Sequence, residues 1–266
     1  MTEQTYQWNA IEYAKSSGIQ QQWARELICK LNLKGSEKVL DIGSGDGKVT
    51  AEIAGCLPHG SVIGIDSSET MIALAQSKFS ADGYPHMRFQ QGDASALPFE
   101  NEFDIIFSNA TLHWIIDQRP VLRGIYKSLK SGGKILLQMG GHGNAADVLA
   151  KFDKLIESGE WRDYFRGFTF PYGFYNAEEY RPWLREAGFQ ESRMELIPKD
   201  AIHQDRTAFE GWIRTTWLPY TQRVPEEKKD AFITRLADYY LRQNSVDADG
   251  MVHVQMMRLE VEAVKR

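Results

Sequence analysis

Apolar positions in the first half of the chain follow two alternating patterns. Short continuous apolar runs at 38–43, 61–66, 86–93, 102–109 and 131–139 predict buried strands of a parallel sheet. Between them, residues 48–57, 68–79 and 119–129 carry apolar side chains at helical spacing, and Ser67 or Ser68 suits the N-cap of the second helix. Strand and helix taken in turn predict right-handed crossovers and a doubly wound, Rossmann-like α/β sheet.

The alternation breaks in the second half. Residues 145–158, 177–188, 207–218 and 226–244 read as helices, with Pro182 a kink and Gly188 a C-cap within the second. Strand patterns return at 189–197 and 253–265, and 165–176 is an aromatic and glycine cluster without a period. The pattern predicts a helical lid at 1–36 and a ligand-binding core at 37–142. The remainder, 143–266, completes the sheet and carries an inserted helical cap at about 158–176 and 200–245.

Composition narrows the setting. A net charge of −5 with no dense Lys/Arg run speaks against nucleic acid as partner. No apolar run approaches membrane-spanning length, and the first residues lack a signal-peptide pattern. Cys29 and Cys56 follow no metal or redox spacing, so the expected setting is cytoplasmic and reducing.

The chemistry concentrates at the ends of the strands. "VLDIGSGDGKVT" (39–50) runs from a strand through a G-x-G-x-G turn into a helix. Gly43, Gly45 and Gly47 let the backbone bend tightly and approach a ligand, and the helix N-terminus offers free N–H groups to an anion. A dinucleotide fingerprint needs glycine at 48, where the chain has Lys48. Asp66 ends the second strand, where an acid can accept both hydroxyls of a ribose or cap the next helix. Asp93 ends the third, where it can face an adenine amino group or turn the chain at the surface. Asn109 ends the fourth beside the same crevice.

"VLDIGSGDGKVT", "GIDSS", "GDASALPF" and "FDIIFSNATLHWI" resemble, in order and spacing, the successive motifs of class I S-adenosylmethionine-dependent methyltransferases, over about residues 37–140. The resemblance implies a seven-stranded sheet, parallel with one antiparallel strand, under a helical cap. It implies S-adenosylmethionine as cofactor, with Asp41, Gly43, Ser44, Gly45 and Asn109 near its methionine part. Asp66 and Ser67 would hold the ribose and Asp93 and Ala94 the adenine, with Met71 and Ala110 also at the cofactor. The N-terminal "YAKSSGIQQQWARELI" is similar to the first helix of trans-aconitate methyltransferases and insect juvenile hormone acid methyltransferases. Seven residues after Tyr13 the former carry Arg and the latter Gln, and this chain has Gln20. Both families methylate carboxylates of small acids, which implies a small organic acid as acceptor and Tyr13 and Gln20 at the cofactor, with Gln20 also a catalytic candidate.

A carboxylate is already ionised near neutral pH and needs no base. A phenol or ammonium acceptor needs one, and His113 is the best placed, with Trp114 beside it. Each has a plainer reading as a packed residue. The group Trp161, Phe165, Phe168, Phe170, Tyr172, Phe174 and Tyr175 reads as a cap core, some of it lining an apolar acceptor pocket. Arg166, Arg214 and His203 are carboxylate partners by residue type alone. "SNAT" lacks the N/D-P-P-Y/F run of exocyclic-amine methylators, and no carboxylate cluster suits Mg²⁺, so no metal is expected. A cofactor-binding module without turnover stays open at this point.

Overall fold

A computed structural model describes residues 6, 8–10, 12, 18–80 and 82–266. The chain divides into two compact units. One comprises Gln20–His142, Tyr172–Ile197 and Met257–Arg266; the other comprises Gly143–Pro171, Pro198–Met256 and the described residues before Gln20.

A seven-stranded sheet runs β3-β2-β1-β4-β5-β7-β6, with β1 Lys38–Ile42, β2 Ser61–Asp66, β3 Met87–Gln91, β4 Phe103–Asn109, β5 Leu129–Gly140, β6 Phe189–His203 and β7 Val252–Lys265. The first five are parallel to one another, and β7 runs antiparallel to β5. Continuous apolar runs suit these strands because both faces are covered. Val39, Ile105 and Phe107 face Leu27 and Leu31 of α1 (Gly18–Leu31), Ile53 of α2 (Lys48–Gly55) and Ile72 and Ala75 of α3 (Glu69–Lys78). Leu40, Ile42 and Ile106 face Val121, Leu122 and Ile125 of α4 (Arg119–Ser128) and Tyr180 and Leu184 of a helix further on. The strand order reverses between β1 and β4, which opens a crevice at their carboxyl ends.

The other unit is built from α5 (Ala146–Ile156), α7 (Arg206–Thr216), the short α8 (Leu218–Thr221) and α9 (Glu226–Leu241), α6 (Ala177–Glu186) belonging to the sheet unit. Its core is aromatic: Phe152 stacks on Tyr220 at 4.1 Å, Phe165 on Phe232 at 5.7 Å, and Trp161 meets Phe232 edge-on. Such pairs add to area burial through ring geometry. Asp205 caps α7 by accepting from the Ala208 N–H.

Of the two N-cap candidates, Ser68 caps α3. β6 continues past Pro198 to His203, six residues beyond the predicted end, because Ala201 and His203 keep the period-two burial that the intervening Pro, Lys and Asp conceal. Among the described residues no helix is long and apolar enough to cross a membrane.

Candidate functional site

The turn after β1 is held by the neighbouring strand. Gly43 and Ser44 both donate to the Ile65 carbonyl, at 2.8 and 2.9 Å, and Gly45 donates to Asp66 Oδ2 at 3.0 Å. Gly43, Gly45 and Gly47 all take positive φ. Two of them also answer to packing: a Cβ on Gly43 would fall 2.0 Å from Thr111 Oγ1, and one on Gly47 would fall 2.6 Å from Phe89 Cζ. Asp41, beneath the turn, is 2 % exposed and accepts from Thr50 Oγ1 at 2.6 Å. Burial pushes its carboxyl up to about 7, against the Thr50 bond and with help from the nearby Asp66 charge.

Asp66 ties two loops together. Its oxygens accept from the Gly45 N–H and, at 2.9 Å, from the Ser68 N–H. Burial raises its carboxyl above the ordinary range while both bonds oppose that rise. One lone pair or more on each oxygen stays available. Ser67 is exposed, and Met71 is buried in the first turn of α3. Asp93 is exposed and accepts from the Ser95 N–H at 2.7 Å, which turns the chain and leaves Ala94 buried.

Asn109, at the end of β4, donates through Nδ2 to the Gln20 carbonyl at 3.0 Å. Ala110 follows with φ 57° and donates its N–H to the Gln138 carbonyl at 2.8 Å. Three side-chain atoms close to the ends of β1 and β4, Gln20 Oε1, Ser44 Oγ and Asn109 Oδ1, are among those buried without a hydrogen-bond partner among the described residues. Leaving such atoms unmet costs about 1–3 kcal/mol each, so a polar ligand that meets them is bound rather than merely admitted. The glycine turn, two acids at strand ends and these atoms suit a small molecule carrying ammonium, carboxylate and hydroxyl groups.

His113 lies just past β4 and is buried. Its Nδ1 accepts from the Gly140 N–H at 3.4 Å, and its carbonyl accepts from the Gly173 N–H at 2.8 Å. Rings of Trp114, Tyr172 and Phe174 stand 6.0, 5.9 and 5.6 Å from it. Burial, and then the Arg258 charge, hold the imidazole well below its ordinary pKa. Arg258 is the residue that sequence reasoning missed. It sits in β7 opposite Gly140, is 3 % exposed, and stacks 5.4 Å from the Trp23 ring centre.

The aromatic group read from 161–175 divides. Trp161, Phe165 and Phe168 pack in the helical unit with Tyr220 or Phe232, while Tyr172 and Phe174 join His113, and Tyr175 packs on Trp183. Of the three residues named by type, Arg166 pairs with Asp163, and Arg214 pairs with Asp230 and Glu12. His203 is buried against Phe209 and Trp212. Tyr13 lies outside the described residues.

The family described as "Methyltransferase domain" matches residues 33–188. A trans-aconitate 2-methyltransferase of Deinococcus radiodurans is 31 % identical over 96 % of this chain and 91 % of that protein. An uncharacterized methyltransferase of Schizosaccharomyces pombe is 30 % identical over 97 % and 98 %. A phosphoethanolamine N-methyltransferase of Haemonchus contortus, solved with phosphomonomethylethanolamine and S-adenosylhomocysteine, shares the fold at a TM-score of 0.61, with 21 % identity over 96 % of this chain and 57 % of that one. The chain thus belongs to the methyltransferase domain family and is an enzyme whose cofactor is S-adenosylmethionine.

Proposed function

We propose that the chain methylates a carboxylate oxygen of a small organic acid. The observation that carries this reading is the state of His113. Burial and the Arg258 charge keep it a weak base, and its Nδ1 already accepts from Gly140. A phenol or ammonium acceptor needs a partner of matched pKa to take its proton, and His113 is a poor one. A carboxylate arrives ionised and asks nothing of it. The kinship with trans-aconitate 2-methyltransferases supports the same acceptor class.

The residues at the strand ends suit the cofactor in parts. Gln20 Oε1 and Asn109 Oδ1 are acceptors for its ammonium, and Ser44 Oγ can donate to its carboxylate. Asp41 sits beneath the Gly43–Gly45 backbone and shapes it, and Ala110 holds the end of β4. Asp66 has lone pairs for the ribose hydroxyls beside Ser67. Met71, Asp93 and Ala94 serve the adenine. Bound S-adenosylmethionine supplies an electrophilic methyl group. The chain's own contribution is to fix the acceptor oxygen in line and to exclude water, with Trp114, Tyr172 and Phe174 as apolar walls.

The test is product chemistry. With radiolabelled cofactor and a panel containing organic acids, phenols and amines, the label should enter acids and be released as methanol by mild alkali. Turnover should be level from pH 6 to 8, since ordinary carboxyl groups titrate near pH 4. Alkali-stable product with a rate that climbs through this range would replace the reading with base-assisted transfer to phenol or amine.

A further inference from the structure

Two carboxylates stand on neighbouring strands without a cation of their own. Asp41 lies in β1, and Asp66 ends the adjacent β2. Asp41 is buried, and among the described residues its one hydrogen-bond donor is the Thr50 hydroxyl of α2, on Oδ2. Asp66 has the backbone N–H groups of Gly45 and Ser68. The charged side chains around this corner pair elsewhere: Lys48 and Lys78 with Asp46, Arg25 with Glu52, and Lys30 with Glu260. Gly64 and Phe107, in register with Asp41 on the two flanking strands, carry no charge. Past the end of β4, burial keeps His113 neutral. A buried carboxylate ordinarily has a cationic partner, because its desolvation is otherwise uncompensated. In the turn that Asp41 underlies, Ser44 Oγ is also buried without a hydrogen-bond partner among the described residues. An under-partnered acid and an unmet hydroxyl thus share the end of β1.

We propose that Asp41 makes the cofactor site charge-selective, holding the sulfonium form more tightly than the neutral thioether left by transfer, so that the reaction itself loosens the spent cofactor. This rests on the cofactor lying at the Gly43–Gly45 turn and not on the class of acceptor. In the transfer an acceptor lone pair forms the new bond to the methyl carbon as the S–CH₃ bond breaks, with the bonding pair left on sulfur. One positive charge therefore leaves the sulfur whichever group accepts the methyl. A water-poor corner strengthens the attraction of a carboxylate for a cation, and the attraction ends with the charge. The same carboxylate opposes the loss of charge in the transition state, so it serves loading and release and not the chemical step. Burial, against the Thr50 bond and with the Asp66 charge adding to it, lifts the carboxyl to about 7. Below that pH the ligand-free group is mostly protonated and responds weakly to charge; above it the group is ionised. A bound cation favours the ionised form, so the sulfonium should expel the proton and the thioether should leave more of it in place. Selectivity for the charged form then grows as pH rises through 7.

Calorimetry of S-adenosylmethionine and S-adenosylhomocysteine against the wild type and Asp41→Asn tests this without turnover. The selectivity is the Kd of the thioether divided by that of the sulfonium ligand. The amino group of each ligand titrates alike against both proteins, so the wild-type selectivity divided by that of Asp41→Asn reports Asp41 alone. This quotient should rise about 5- to 10-fold between pH 5.5 and 8.5. Titrations at pH 7 in phosphate and in Tris, whose ionisation heats differ, count the protons exchanged. Relative to Asp41→Asn, the wild type should release about 0.4 proton more on binding the sulfonium ligand than on binding the thioether. A quotient that stays within about twofold across the range, or equal proton release, overturns the inference while leaving the cofactor at the turn. Failure of both ligands to bind the wild type removes that placing and the inference together. Should Asp41→Asn not fold, Thr50→Val removes the bond that holds the carboxyl down. The pH at which selectivity rises should then move upward by about 0.5 or more, and an unmoved rise is the overturning result.

Discussion

Each unit buries a histidine among aromatic rings, and the two histidines teach different things. His203 in the helical unit lies against Phe209 and Trp212, and its Nε2 has no hydrogen-bond partner among the described residues. His113 in the sheet unit also has aromatic neighbours, but its Nδ1 meets a backbone N–H, and the Arg258 charge acts on it. Burial depresses both. A depressed pKa therefore does not by itself mark a site. What distinguishes the sheet unit is that Gln20 Oε1, Ser44 Oγ and Asn109 Oδ1, buried without a hydrogen-bond partner among the described residues, lie close to the carboxyl ends of β1 and β4, where the reversal of strand order leaves room for a ligand. The contrast makes a plain forecast: substitutions at those strand ends disturb cofactor binding, and substitutions around His203 disturb stability alone.

Gly43→Ala should have the largest effect. The new methyl would meet Thr111 side-chain atoms at 2.0–2.5 Å, on a backbone at φ 79°. Left-handed strain and overpacking together cost about 4 kcal/mol. The turn that carries Ser44 and Gly45 must shift, so cofactor affinity by calorimetry should fall at least about 100-fold, equivalent to about 2.7 kcal/mol. Wild-type affinity with normal melting would show that the turn has slack the distances deny.

Asp41→Asn comes next, with the opposite sign. Burial lifts the native carboxyl to about 7, from an ordinary aspartate value of 3.8. Between those values the folded state binds more protons than the unfolded, so stability falls as pH rises. Well above pH 7 the buried charge costs the ligand-free protein its full penalty, roughly 4 kcal/mol. Asn can still accept from Thr50, so Asp41→Asn should raise the melting temperature at pH 8 by about 6–10 °C. The gain should vanish by pH 4. A gain that is the same at both pH values would mean that the aspartate is ionised throughout.

These two residues were legible because their signals are local. A strand ending in Asp-x-Gly-x-Gly constrains its own turn, and apolar runs of five or six residues bounded by turn residues suit strands covered on both faces. Arg258 was hidden for the opposite reason. Its surroundings come from the β5–β7 register and from α1, more than 200 residues earlier in the chain, and "MMRLEVE" gives no sign of either. The aromatic run from Trp161 to Tyr175 was misleading as a group, because proximity in sequence concealed a division between Pro171 and Tyr172. β6 outran its apolar pattern because Pro198 interrupts the composition without breaking the alternation. Asp66 and Asp93 show why the plain and the functional readings could not be separated in advance: each makes a capping or loop-tying bond, and those bonds leave acceptor capacity over.

The smallest effect sharpens the comparison most. His203 titrates at about 4 when folded, below its ordinary 6.5, chiefly through burial and against the pull of Asp200. For a histidine lowered in this way, the unfolded state binds more protons, so stability is lost as pH falls from 6.5 toward 4. Between pH 7 and 5 the loss amounts to about 2 kcal/mol. His203→Phe fits an aromatic neighbourhood and cannot be protonated. Urea midpoints should therefore depend on pH less steeply in the variant, with cofactor Kd within twofold of wild type. His113→Phe also removes a lowered imidazole but strips the Gly140 N–H of its acceptor beside Trp114, Tyr172 and Phe174, so it should raise the acceptor KM as well. If His203→Phe weakens cofactor binding as much as His113→Phe impairs turnover, the strand ends are not the special region, and the distinction between the two units fails.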